Sequence, residues 1–184
     1  MLGDEALRLA LTASGSAVLT IVPGDRSMEP TLYGGDAVLA VPLPDEPVRG
    51  DLLVFRQNDD LVVHRYLGPA RAKDGAPCLR TRGDGRHELD PPLARGAVRA
   101  RVAAVRRGAA WRSLDGGAPR VYAFLVAAHD LAWAGAIHLL RPIGLSGAAA
   151  VLDRTLLTLG ARVAVPLAHR RVEGPVPGVP RVSV

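Results

Sequence analysis

The sequence predicts a mainly β domain followed by a C-terminal helical hairpin. Between Asp36 and Val105, short runs rich in Val and Leu alternate with turn residues, a pattern typical of antiparallel strands. Beyond Arg120, apolar residues recur at helical spacing instead. The chain has 184 residues, of which 48% are hydrophobic, and this suits one globular domain with an appendage or two small domains.

Residues 1–16 are expected to hold a short helix. Asp4 to Ala13 is interpreted as a short helix with Leu7, Leu9 and Leu11 as its apolar positions, and Ser14-Gly15-Ser16 ends it. A targeting segment is not predicted, because the start is acidic and Arg8 interrupts the apolar run. Only 26 residues precede Ser27, whereas a spanning helix needs about 20 apolar residues. We therefore expect no N-terminal transmembrane anchor.

Residues 17–107 are predicted to form the β-rich domain. Gly-Asp pairs before two of the runs mark turns that lead into strands, and Asn58-Asp59-Asp60 is typical of a hairpin tip. The last run alternates Val or Ala with Arg, which indicates one buried and one solvated face. The predicted strands are Ala17–Val22, Ala37–Val41, Leu52–Phe55, Leu61–Leu67, Leu79–Thr81 and Val98–Val105.

The C-terminal third is divided into a linker at 108–119, a helical hairpin at 120–170 and a flexible tail at 171–184. Asp130 lies near the centre of the first helix, and a central aspartate costs about 2.5–3.5 kcal/mol on membrane insertion. We therefore expect the hairpin to lie on a membrane surface or a partner and not to span a bilayer. The alternative is that both helices pack on the β domain.

Charge and cysteine content exclude several other classes. The net charge is +5, but the arginines are scattered and no aromatic residues interleave with them, so nucleic-acid binding is not expected. The single cysteine, Cys78, excludes an internal disulfide and a cysteine metal cluster. No metal site and no cofactor are predicted. The compartment stays open between the cytoplasm and a peripheral membrane location.

The candidate nucleophile is Ser27, in the segment from Gly24 to Thr31. It follows the first predicted strand, and Pro30 suits the first turn of a helix. At such a corner the serine hydroxyl is exposed, and the backbone N–H groups of Ser27 and Met28 are free to face an oxyanion. The competing interpretation is a surface turn with a capping serine.

A nucleophilic serine needs a base to take its proton. His64 is the natural candidate, because the unperturbed imidazole has a pKa of about 6.5. Lys73, the only lysine, lies in a polar turn where the desolvation required of a lysine base is not expected. His87 has charged neighbours in a loop and is predicted to be a surface residue.

The order of four motifs resembles that of the type I signal peptidases, in their serine–histidine branch. The motifs are Ser-Met-x-Pro-Thr at 27–31, Gly-Asp-x-x-x-Phe-Arg at 50–56, Val-Val-His-Arg at 62–65, and Thr-Arg-Gly-Asp at 81–84 with an aspartate six residues on. The resemblance covers roughly Ala17 to Val105. It implies a signal peptidase/LexA-like β fold and a serine endopeptidase that cleaves a signal or leader peptide from a precursor polypeptide.

The resemblance also implies roles for further residues. Asp90 occupies the position of the catalytic aspartate that orients the base, and Asp84 that of a supporting aspartate which closes a turn or meets an arginine. Met28 and Pro30 would contact a substrate held as an extended strand, with small residues near the cut. One departure is Asp25, which stands where many relatives have an oxyanion-hole serine.

Two other functions stay open. A non-catalytic relative would use the same groove only to bind a peptide or a partner. A LexA-like autoprotease would need a DNA-binding domain ahead of the serine, and we expect the 26 preceding residues to be too few for one. If the protein is a peptidase, its substrates are either exported proteins or the precursors of other products that carry leader peptides, and the sequence favours neither.

Overall fold

A computed structural model describes residues 3–86 and 88–140. It contains one seven-stranded antiparallel sheet and two α-helices, so the predicted mainly β class is confirmed. The sheet order is β1-β2-β6-β3-β4-β5, and β7 pairs with β6. The elements are α1 (Asp4–Ser14), β1 (Ala17–Thr20), β2 (Ala37–Val41), β3 (Leu52–Gln57), β4 (Asp60–Arg71), β5 (Pro77–Arg82), a 3-10 turn (Arg95–Ala97), β6 (Val98–Arg107), β7 (Ala110–Ser113) and α2 (Gly117–Leu140).

The predicted hairpin between β3 and β4 is confirmed, and its register places the candidate base. Gln57 pairs with Asp60 across a turn in which Asn58 adopts a φ of 55°. Asparagine tolerates this left-handed conformation better than most residues. Counting back along the ladder, His64 pairs with Leu53. The turn chemistry therefore sets where His64 lies relative to its neighbouring strand.

Both faces of β3 are buried, and they contribute to two separate hydrophobic cores. Leu52 and Val54 belong to a cluster that includes residues of α1, β1, β2 and β6. Leu53 and Phe55 belong to a second cluster with Tyr66 and two leucines. Successive strand residues point to opposite faces, so the apolar run of β3 serves both clusters. Its neighbour β4 is thereby fixed between the cores.

Three of the Gly-Asp pairs, at 35–36, 50–51 and 83–84, stabilise the turn before or after a strand in the same way. Each aspartate is buried and forms an ion pair with an arginine from another segment. Two of them also accept the backbone N–H of the residue three positions earlier, which closes the turn. The pairs are Asp36–Arg107, Asp51–Arg120 and Asp84–Arg65.

The region expected to be a linker, 108–119, is partly a strand instead. Gly108 takes a φ of 64° in a tight turn, and β7 then runs back along β6 with Arg107 opposite Ala110. The four residues of β7 are only half-buried and show no alternation, so pairing with β6 decides their conformation. Helix α2 begins at Gly117, three residues before the predicted start at Arg120. The second helix of the predicted hairpin and the tail lie outside the described residues.

Helix α2 docks on the sheet through one face and exposes the other. A Cβ at Gly50 would lie 2.7 Å from backbone atoms of Ala123, so the helix passes directly over this glycine. The opposite face leaves Val121, Phe124 and Leu125 exposed. Among the residues that the structure describes, no helix has the length and apolar character needed to cross a membrane. Surface contact through 120–170 stays a prediction.

We expect Asp84→Asn to lower stability substantially. The side chains of Asp84 and Arg65 are 3% and 2% exposed, and removing one partner of a buried ion pair costs about 3–5 kcal/mol. For a chain of this size that corresponds to a fall in Tm of roughly 6–20 °C. The matched control is Asp59→Asn, whose ion pair with Arg56 involves a carboxylate that is 97% exposed, and which should cost less than about 1 kcal/mol. Equal melting temperatures for the two variants would contradict this account.

Candidate active site

Ser27 lies in a turn shortly after β1, half-buried at the mouth of a cleft. Strand β1 ends at Thr20 and not at the predicted Val22, because the chain bends at Pro23 and Gly24. The helix expected around Pro30 is also absent. Residues 27–32 form turns, in which the N–H of Leu32 donates to the carbonyl of Met28 at 3.0 Å and the peptide before Pro30 is cis.

The loop after β5 packs directly on the backbone at Ser27. The N–H of Gly85 donates to the carbonyl of Ser27 at 2.8 Å. A Cβ at Gly83 would lie 2.4 Å from that carbonyl oxygen and 2.9 Å from Nε2 of His64. Gly83 is therefore the place where residues 27–32, which we call the serine turn, and the imidazole ring come together. A side chain at Gly83 would separate them.

His64 and Asp90 form a buried pair. Nδ1 of His64 lies 2.7 Å from Oδ2 of Asp90, and the two side chains are 2% and 9% exposed. Burial raises the pKa of Asp90, but the hydrogen bond and the charge of His64 oppose it, and the net pKa lies below the usual range. Asp90 is thus ionised near neutral pH. Since a carboxylate only accepts hydrogen bonds, Nδ1 carries a proton, and Nε2 is the ring nitrogen that can accept one.

Nε2 of His64 is a buried nitrogen without a hydrogen-bond partner among the described residues. Buried polar atoms are normally paired, because leaving one unpaired costs about 1–3 kcal/mol. This atom is the one that lies beside Gly83 and the serine turn. Ser27 and His64 line the same cleft, although no hydrogen bond joins their side chains in this structure.

The cleft has a volume of about 520 Å³. One wall is residues 18–23, from β1 and the segment after it, and the other is residues 61–64 of β4. Most of these side chains are apolar. The polar end of the cleft contains Asp25, Ser27, His64 and Arg86. Strand β1 pairs only with β2 within the described sheet, so an edge strand lines this cleft.

Arg65 connects the serine turn to β4. Its guanidinium donates to both carboxylate oxygens of Asp84, at 2.8 and 2.6 Å, and to the carbonyl of Gly50 at 2.8 Å. Thr31, in the serine turn, donates its hydroxyl proton to Asp84 and also accepts from Arg65. Asp84 therefore meets an arginine, which is the structural contact that the sequence predicted for it.

The oxyanion-hole prediction differs from the structure at Ser27. The Ser27 N–H is not free, because it donates to Oδ1 of Asp25 at 2.8 Å. The N–H of Met28 makes no hydrogen bond to the residues that the structure describes. The two side chains predicted to contact the substrate, Met28 and Pro30, do not line the cleft. Met28 is buried in the first hydrophobic core.

Lys73 does not line the cleft. Lys73 is exposed in the turn between β4 and β5, and His87 lies outside the described residues. Arg86 lines the cleft and was missed by the sequence analysis, because nothing in its motif distinguishes it from the surface arginines. Within residues 3–86 and 88–140, no group of three or more His, Cys, Asp or Glu side chains could hold a metal ion.

Comparison with known proteins does not assign the chain to a family. No protein-family model matches the sequence, and no curated protein matches it significantly. A function therefore has to be inferred from the geometry of the cleft and from the motifs that form it.

Proposed function

We propose that this protein is a serine endopeptidase of the signal peptidase type, with a signal peptidase/LexA-like fold, that cleaves a signal or leader peptide from a precursor. Ser27 is the nucleophile, His64 the general base and Asp90 the residue that orients the base. The observation that carries the proposal is the buried His64 ring. It is bonded through Nδ1 to Asp90 and presents an unpartnered Nε2 beside the backbone of Ser27.

The geometry supports the following chemistry. Oγ of Ser27 attacks the scissile carbonyl carbon, and Nε2 of His64 takes the hydroxyl proton. Asp90, which is ionised, stabilises the imidazolium that results. His64 then returns the proton to the leaving amine, and the acyl-enzyme is hydrolysed by water that His64 activates in the same way. The N–H of Met28 is available to the oxyanion.

The shape of the cleft favours an extended polypeptide as the substrate. A peptide lying along the apolar walls would add a strand to the edge of β1, so its main chain would supply affinity. The side-chain pockets would then supply specificity. The resemblance to signal peptidases adds an expectation of small residues near the cut, which the cleft can accommodate.

A second candidate is a non-catalytic protein that binds a peptide in the same cleft. It is favoured by the Ser27 N–H, which is occupied by Asp25, and by the absence of a hydrogen bond between Ser27 Oγ and His64 Nε2. In free enzymes such bonds are often long and tighten only with substrate, so this geometry is also compatible with catalysis. The two functions differ in whether a bound peptide is cut.

Ser27→Ala should abolish cleavage and leave the fold intact. We expect a loss of at least about a thousandfold, because the proposed acyl-enzyme forms on the hydroxyl that this substitution removes. Cleavage of a mixed peptide library, followed by mass spectrometry, measures this, with Tm recorded for each variant. Ser14→Ala, in α1 and away from the cleft, serves as the control. Peptide binding without any cleavage by the wild-type protein would favour the second candidate.

His64→Ala should remove activity, whereas Lys73→Ala should leave it near the wild-type level. Lys73 is exposed, and a lysine base would need to be desolvated. The kcat/KM of the wild type should fall as the pH is lowered, because a protonated imidazole cannot accept the serine proton. Loss of activity in Lys73→Ala with retention in His64→Ala would identify a serine–lysine enzyme instead.

Asp90→Asn should reduce kcat by several orders of magnitude, on the order of 10⁴, since an amide favours the wrong imidazole tautomer. The pKa of Asp90 is lowered in the folded protein, so its ionised form stabilises the fold above the usual carboxyl range. That contribution is lost as the pH falls through the lowered pKa. The difference in Tm between wild type and Asp90→Asn should therefore shrink in acid. A fall in kcat no larger than that of Asp84→Asn would argue against an orienting role.

A further inference from the structure

The carboxylate of Asp25 accepts the backbone N–H of Ser27, which is a donor that an oxyanion would need. Oδ1 of Asp25 accepts the N–H of Ser27 at 2.8 Å, and the aspartate is exposed and lines the cleft together with Ser27 and His64. A backbone amide has one proton. While the carboxylate of Asp25 accepts it, the same proton is not available to a reacting carbonyl oxygen.

We propose that Asp25 is a displaceable cap on the oxyanion site, which a substrate must push aside before Ser27 reacts. This inference rests on the proposed peptidase function. The carboxylate opposes reaction in two ways. It competes for the Ser27 N–H, and its negative charge repels the charge that develops on the substrate oxygen.

The surroundings of Asp25 allow the cap to leave. The side chain is exposed, so water can replace the amide as its partner. Arg86 lines the same cleft and offers a positive charge nearby. A peptide that fills the apolar walls would supply binding energy for the displacement, whereas a short or poorly fitting peptide would not. The cap would thus discriminate between extended substrates and small ones.

The opposite role for Asp25 is to shape the serine turn. Asp74 makes the same type of contact in the turn between β4 and β5, where its Oδ1 accepts the N–H of Ala76 at 3.0 Å. Asp74 does not line the cleft. If Asp25 only shapes its turn, then removing it should loosen Ser27 and weaken reaction. The two roles predict effects of opposite sign.

A peptide boronic acid, acetylated and ending in boronoalanine after three apolar residues, tests the cap. Oγ of Ser27 forms a bond to boron, its proton moves to Nε2 of His64, and no group leaves. The tetrahedral boron then bears a negative charge and places a hydroxyl at the oxyanion position. Calorimetry on the full chain gives Kd, and boron NMR reports the tetrahedral adduct, for wild type, Asp25→Ala, Asp25→Asn and Asp74→Ala.

The cap predicts that Asp25→Ala binds the boronate more tightly, by roughly tenfold or more, since a negative charge that lines the same cleft near the surface is removed. Asp25→Asn keeps a hydrogen-bond acceptor without the charge, so its Kd for the boronate should lie between those of Asp25→Ala and the wild type. Asp74→Ala should bind like wild type. The Ser27 amide of the unliganded protein should also exchange with solvent faster in Asp25→Ala.

Unchanged or weaker boronate binding by Asp25→Ala, with the tetrahedral adduct still formed at Ser27, would overturn the cap and leave the proposed function standing. An unchanged exchange rate for the Ser27 amide would overturn it as well. Failure of both the wild type and Asp25→Ala to form a tetrahedral adduct would contradict the peptidase function and the cap together. An adduct that persists in Ser27→Ala would contradict the nucleophile assignment and the cap with it.

Discussion

The buried ion pair between Arg65 and Asp84 is the contact on which the geometry of the site depends. It joins β4 to the loop after β5, and through Thr31 it also holds the serine turn. A buried ion pair is maintained only when its remaining hydrogen-bonding groups are also satisfied. Here Gly50 and Thr31 supply the additional partners. Since successive strand residues point to opposite faces, Arg65 anchors one side of β4 while its neighbour His64 faces the other.

Close packing of the backbone at Gly83 and Gly85 further fixes the positions of Ser27 and His64, in addition to the ion pair between Arg65 and Asp84. Gly83 brings the serine turn and the imidazole to the same point, and Gly85 adds a hydrogen bond to the carbonyl of Ser27. On its other side the His64 ring contacts Phe55 edge to face, with 5.9 Å between ring centroids. The imidazole is therefore constrained on three sides, by Gly83, Phe55 and Asp90. Of the two ring nitrogens of His64, Nε2 has no hydrogen-bond partner among the described residues.

The strands β1 to β6 could be predicted from the sequence because each contains a short apolar run next to turn residues. The contact between His64 and Asp90 agrees with the order of the motifs in the sequence. Strand β7 could not be predicted from the sequence, since its four residues take their conformation from pairing with β6. The burial of Met28 could not be predicted either, because a short motif does not show which side chains point into the core. The sequence showed Asp25 at an unusual position. Its hydrogen bond to Ser27 depends on a local turn that the motif does not specify.

The open edge of β1 has a consequence for how the protein behaves in solution. Its backbone groups on that side have no strand partner within the described sheet, and Val18 and Val22 are exposed along it. Proteins usually protect such edges with charges, prolines or a covering loop, because a bare edge recruits strands from other molecules. Residues 17–22 carry no charged side chain, and the one proline at this part of the described edge is Pro23, just beyond the strand. We therefore expect occupancy of the cleft and solubility to be linked, with an empty cleft favouring self-association at high concentration.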